Sequence, residues 1–129
     1  MKYDEFVGQV QHRARLGTSG EAVRATRATL EVLGQRLFGG EAEDLAAQLP
    51  EEIGFYLTNV DEDESFGLDE FFTRVGERAG VDLPDAVHHA RVVISVLQDA
   101  VSQGEIEDVR SQLPPEYDPL FESGSEGEM

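Results

Sequence analysis

Apolar residues recur along this chain at helical intervals. Tyr3, Phe6, Val7, Val10 and Ala14 keep the i, i+3, i+4, i+7 spacing that puts side chains on one face of a helix. Leu68, Phe71, Phe72, Val75 and Ala79 repeat that stripe further along. A second stripe comprises Ala22, Val23, Thr26, Leu30, Leu33 and Leu37, and it too has a counterpart in Ala86, Val87, Ala90, Ile94, Leu97 and Val101. Nowhere is there sustained alternation of apolar and polar residues, the mark of a half-buried strand. The pattern predicts an all-α protein.

Punctuation agrees with the stripes. Thr18-Ser19-Gly20-Glu21 has the spacing of a capping box. Asp82-Leu83-Pro84-Asp85 offers a cap followed by a proline in the first turn. Gly39-Gly40 and Gly104 are read as helix terminators, since glycine accepts a left-handed cap. A third helix is expected from about Glu41 to Leu49 and again from about Glu105 to Leu113, with carboxylates at its positive end. Pro50 and Pro114 then interrupt it, because proline has no amide donor. Short apolar segments follow, with Ile53, Tyr56 and Leu57 in one case and Tyr117, Leu120 and Phe121 in the other.

These correspondences amount to a repeat. Residues 22–57, moved forward by 64 positions, fall on residues 86–121 without a gap. The expected architecture is a bundle of about six main helices, built from two similar three-helix repeats over about 1–58 and 66–121. A repeat of this length folds only marginally alone, so a single domain over 1–121 with a shared core is expected. The join, Asn59 to Ser65, reads as an exposed acidic link, and residues 122–129 as a disordered acidic tail.

Composition narrows the chemistry. There is no cysteine, which excludes disulfides, thiolate nucleophiles and sulfur-ligated metals. Twenty-seven acidic residues face 10 basic ones, for a net charge of −17. Such a surface repels phosphate backbones and anionic bilayers, so neither nucleic acid nor membrane is an expected partner. At about 1 M salt the screening length falls to about 3 Å and the self-repulsion nearly vanishes. With a single lysine, Lys2, this points to halophilic adaptation. The start of the chain has no basic and apolar leader pattern, and the expected location is the cytoplasm.

Candidate sites are sparse. Asp61, Asp63 and Ser65 begin like a calcium loop, but Phe66 stands where the turn glycine belongs and Phe72 where the bidentate glutamate belongs. Asp85 and His89 share a helix face beside His88, yet zinc needs further ligands and His12 has no matching histidine in the second repeat. A helix-turn-helix is excluded by the acidic start Glu41-Ala42-Glu43-Asp44 of its would-be reading helix. No constellation of nucleophile, base and stabiliser is visible. The expectation is therefore no enzyme, no catalytic residue, no cofactor and no metal ligand. What remains is a set of polar residues common to both repeats: Arg27 and Arg91, Glu41 and Glu105, Asp44 and Asp108, Gln48 and Gln112. Glu41, Asp44 and Gln48 are expected on one helix face, with Arg27 pairing a carboxylate of that helix. The set is read as either a structural or a docking face.

The string Leu33-Gly34-Gln35-Arg36-Leu37-Phe38-Gly39-Gly40-Glu41-Ala42-Glu43-Asp44-Leu45-Ala46-Ala47-Gln48-Leu49-Pro50 resembles the hallmark of a prokaryotic family catalogued as domain of unknown function 2267. The opening Asp4-Glu5-Phe6 and the two-copy plan are similar as well. The second copy departs from the hallmark, with Val109 for leucine and Arg110-Ser111 for two alanines. The resemblance implies a helical fold and a prokaryotic cytoplasmic origin, with no activity attached. Two functions stay open: a module for protein–protein interaction or self-association, with an unknown partner, or a small-molecule or metal binder with its site between the repeats. Shared polar residues lining a pocket would favour the second; a solid apolar core between the halves would favour the first.

Overall fold

The computed structural model describes residues 1–61 and 64–122. Among them are eight α-helices and no strand: α1 Tyr3–Ala14, α2 Ser19–Arg36, α3 Glu41–Ala46, α4 Glu51–Thr58, α5 Leu68–Ala79, α6 Leu83–Ala100, α7 Gln103–Ser111 and α8 Asp118–Phe121. A single 3-10 turn, Pro115–Tyr117, leads into α8. The protein is an all-helical bundle, as the periodicity predicts.

Most helix ends follow from local chemistry. The Thr18 hydroxyl accepts the Glu21 amide, while the Glu21 carboxylate accepts the Thr18 amide, so two orphan donors of α2 are satisfied at once. Asp82 accepts the Asp85 amide and Ser102 the Glu105 amide at the starts of α6 and α7. Gly39 and Gly40, at φ 66° and 83°, make the left-handed turn between α2 and α3.

Three details differ from expectation. The short apolar segments after Pro50 and Pro114 are themselves helical, which raises the count from about six to eight. Proline is tolerated at a helix start, where its missing donor has no partner anyway. Gly104 does not terminate a helix: α6 ends at Ala100, and the Ser102 cap starts α7 before Gly104. Finally, α3 ends at Ala46, so Gln48 lies beyond it in the turn towards Pro50.

The four long helices exchange partners between the halves. Helix α1 packs on α2 and also on α6; α5 packs on α6 and also on α2. Arginines mark both crossings. Arg13 on α1 donates to Ser95 and Asp99 on α6, and Arg78 on α5 donates to Glu31 on α2. One apolar cluster runs through all of this, with Phe6, Leu30, Leu33, Phe71, Ile94 and Leu97 fully buried. Burying such side chains removes about 1.5–3 kcal/mol each from the cost of folding. The link between the halves is exposed at Asp61, Glu64 and Ser65 but tied down: the Glu64 amide donates to the Gln35 carbonyl, and Arg74 grips the Glu64 carboxylate while lying over the Phe66 ring. Asp63 of the calcium-loop pattern and the expected tail beyond Glu122 lie outside the described residues.

One close approach breaks the likeness of the halves. At Gly34 helix α2 presses on the end of α4, so near that an added Cβ would stand 2.1 Å from the Leu57 carbonyl oxygen. Sixty-four positions on, Gln98 takes the place of Gly34, and its side-chain amide donates to the carbonyl of Phe121, the counterpart of Leu57. The first half meets this carbonyl with bare backbone, the second with a side chain.

Candidate functional site

The shared polar residues separate into two groups. Arg27 does not pair with a carboxylate of α3. It lies exposed on α2 and bonds Glu31 one turn along the same helix, the i, i+4 spacing that sets two side chains side by side on one helix face. Glu31 in turn takes Arg78 from α5, so the α2–α5 crossing carries this ion pair. A groove of about 450 Å³ opens there between Arg24, Arg27, Glu31, Glu77 and Arg78, but two of its three guanidiniums are already paired with Glu31. Arg91, the counterpart of Arg27, sits half-buried on α6, whose residue at the Glu31 position is Ser95.

The other six residues converge where α3 packs against α7. The two glutamines fasten this seam reciprocally. Gln48, past the end of α3, accepts the Ser102 amide at 2.8 Å, just ahead of α7. Gln112, past the end of α7, accepts the Phe38 amide at 3.0 Å and donates to the Phe38 carbonyl at 2.9 Å, just ahead of α3. Phe38 and Ser102 are themselves 64 positions apart, so each glutamine holds the lead-in to the other half's helix.

Between the glutamines lies an acidic centre. Carboxylate oxygens of Glu41, Glu105 and Asp108 all lie within 4.8 Å of one another. Among the described residues this is the one group of three side chains close enough to share an ion. Glu105 is only 8% exposed. Neither its Oε2 nor Oε2 of Glu41 has a hydrogen-bond donor, although both atoms are buried. Two carboxylates brought face to face are acceptors only, so neither can satisfy the other without a proton. Burial pushes the Glu105 carboxyl up to about 7, and the contact with Glu41, then the charges of Asp108 and Asp44, act in the same direction. Asp44 is exposed and contributes its field, while Asp108 is exposed at the rim.

Such a centre suits a hard cation. Ca²⁺ accepts carboxylate oxygens at about 2.3–2.6 Å, so oxygens up to about 5 Å apart can lie on opposite sides of one ion. With oxygen ligands alone, Ca²⁺, Mg²⁺ and Mn²⁺ fit better than softer metals. Glu41, Glu105, Asp44 and Asp108 are all visible in the sequence as shared acids, but their meeting is not. The shared spacing of 64 positions is the one available signal, since it pairs Glu41 with Glu105 and Asp44 with Asp108. The histidine pair behaves otherwise. His88 is exposed and His89 half-buried, burial lowers the pKa of His89, and among the described residues they gather no set of three ligands.

No helix among the described residues is long and apolar enough to cross a membrane. No curated protein matches the chain. A family described as "Uncharacterized conserved protein (DUF2267)" matches residues 3–120, which takes in every helix and the whole α3–α7 seam but for the last residue of α8. The chain belongs to the DUF2267 family.

Proposed function

We propose that this chain is a non-enzymatic helical binding module that holds a hard divalent cation in the seam between α3 and α7. One observation carries the reading: the buried, donorless Oε2 of Glu105 faces Glu41, with Asp108 completing three carboxylates inside 4.8 Å. Leaving such groups buried and unpaired costs about 1–3 kcal/mol or more each, and a cation would remove that cost. The carboxylates converge on one another and not on a nucleophile, which supports binding over catalysis.

The expected result is a rise in thermal midpoint when Ca²⁺ or Mg²⁺ is added, worth about 2.7 kcal/mol at a hundred times the dissociation constant. Glu105→Gln and Asp108→Asn should each abolish it while the circular dichroism spectrum stays helical. A midpoint indifferent to both cations and to chelator would remove the reading.

A second reading, self-association or docking to a protein partner, is favoured by apolar rings on the surface. Phe38 is 51% exposed and Phe55 56% exposed. The Phe38 backbone is held on both sides by Gln112. The continuous apolar core between the halves also supports this reading. Light scattering should then show a concentration-dependent oligomer that Phe38→Ser or Phe55→Ser dissociates; a strict monomer, with no partner recovered in native salt, argues against it.

The acidic composition supports a prokaryotic cytoplasm at high salt as the setting. Helical ellipticity should rise between low and molar KCl as the repulsion of a net −17 is screened. A flat response would remove halophilic adaptation.

A further inference from the structure

We propose that the groove at the α2–α5 crossing is a second site, of opposite charge, which binds the carboxylate of a small organic acid. It stands apart from the α3–α7 seam and needs no cation there.

Helical spacing builds one wall. Arg24, Arg27, Ala28 and Glu31 follow i, i+3, i+4, i+7 and share a face of α2. The end of α5 brings Glu77, Arg78 and Gly80 to the other side. Glu31 is almost buried, and both of its oxygens are in use: Oε2 accepts Arg27 Nε at 2.9 Å, and Oε1 accepts Arg78 Nη1 at 2.8 Å. Each bond uses one of the several N–H groups that a guanidinium carries. Glu31 thus fixes two arginine forks in place and leaves their remaining donors for a ligand. Arg24, one turn away and exposed, makes no side-chain hydrogen bond or ion pair among the described residues.

Charge and room select the ligand. Three guanidiniums face two carboxylates, Glu31 and Glu77, so the groove is positive in a chain of net charge −17. One carboxylate cancels that excess, whereas a phosphate dianion would reverse it. Planar guanidinium forks match a carboxylate through parallel N–H···O bonds. The volume of about 450 Å³ lies within the range of about 300–1,000 Å³ typical of small-ligand sites. Gly80 keeps one end open, since nothing lies within 4 Å of a Cβ added there.

The α1–α6 crossing shows what the same framework does without the groove. Ser95 stands in place of Glu31, and Arg13 is engaged by Ser95 and Asp99. Val92 stands where α2 has Ala28, His88 where it has Arg24, and the cap after α1 is Arg15 where α5 has Gly80.

The test is titration of the full chain with lactate, followed by amide NMR spectra at an ionic strength held constant with KCl. Shifts should cluster at residues 24–31 and 77–80 and leave α3 and α7 unmoved. Arg24→Gln breaks no contact of the fold, so it should weaken binding about tenfold or more with the thermal midpoint unchanged. Arg15→Gln removes an exposed arginine outside the groove and should leave binding as it was. Equal losses in the two variants would reveal an effect of net charge and overturn the site, as would shifts spread evenly over the surface or no shifts at all. Inorganic phosphate binding more tightly than lactate overturns the carboxylate assignment. A peptide of alternating glutamate and glycine binding more tightly than lactate overturns the small-acid reading and makes the groove a dock for an acidic protein segment.

Discussion

Replacing Gly34 with alanine is expected to cost about 2–3 kcal/mol of folding stability, the upper range for an overpacked core. Two effects oppose each other at this position. Alanine is the better helix former, and in the last turn of α2 that favours the variant by at most about 0.5–1 kcal/mol. Against it stands the new methyl group, 2.1 Å from the Leu57 carbonyl oxygen and 2.9 Å from its carbon. Both are backbone atoms and cannot rotate away, so α2 and α4 must separate. In a well-packed interior that loss exceeds the gain in propensity. The drop in thermal midpoint should be on the order of 10 °C. Gly8, in the middle of α1, is the control, because nothing lies within 4 Å of its added Cβ. Gly8→Ala should gain about 0.5–1 kcal/mol from propensity alone. Equal effects at the two positions would show that the α2–α4 contact is looser than described.

The second large effect is a pH dependence centred on Glu105. In the folded protein this carboxyl keeps its proton up to about 7, while its ordinary value, which the unfolded chain has, is 4.5. Between those values the folded state binds more protons than the unfolded one, so stability falls as pH rises. The stabilisation is complete below about 4.5 and is lost as pH passes through about 7. The slope within the window is at most about 1.4 kcal/mol per pH unit for one proton. Glu105→Gln should remove this slope. The glutamine amide donates to Glu41 whatever the pH, and the variant should exceed the wild type by about 2 kcal/mol at pH 8 yet match it near pH 5. Chemical denaturation at several pH values reads this directly. The difference between the two proteins isolates Glu105 from the other carboxylates, whose protonation also relieves the net charge. Parallel curves would mean that the Glu41–Glu105 contact does not set the titration.

These effects arise at different levels of organisation. Gly34 stands in the string that resembles the family hallmark, but its sequence neighbours do not reveal what it touches. The clash is with Leu57, one helix away, and the second half solves the same contact with Gln98 and a hydrogen bond to Phe121. Arg27 makes the point in reverse. Its presence in both repeats suggests a pairing with α3, but the i, i+4 geometry of α2 supplies Glu31 instead.

What can be read from the residues alone is local. Apolar stripes of period 3.6, the Thr18 and Asp82 caps and the Gly39-Gly40 turn all act through neighbours a few positions apart, so the all-helical class, four long helices and most of their ends follow from the chain. The 64-residue correspondence further shows which positions carry like residues. It does not show which of them meet. Packing α3 on α7 brings Glu41 to Glu105, and it sets Gln48 against Ser102 and Gln112 against Phe38. The buried carboxylate pair, with the raised pKa of Glu105, is a product of that packing. Exposed in an isolated helix, either glutamate would be an ordinary solvated acid; burial opposite its own counterpart changes its chemistry.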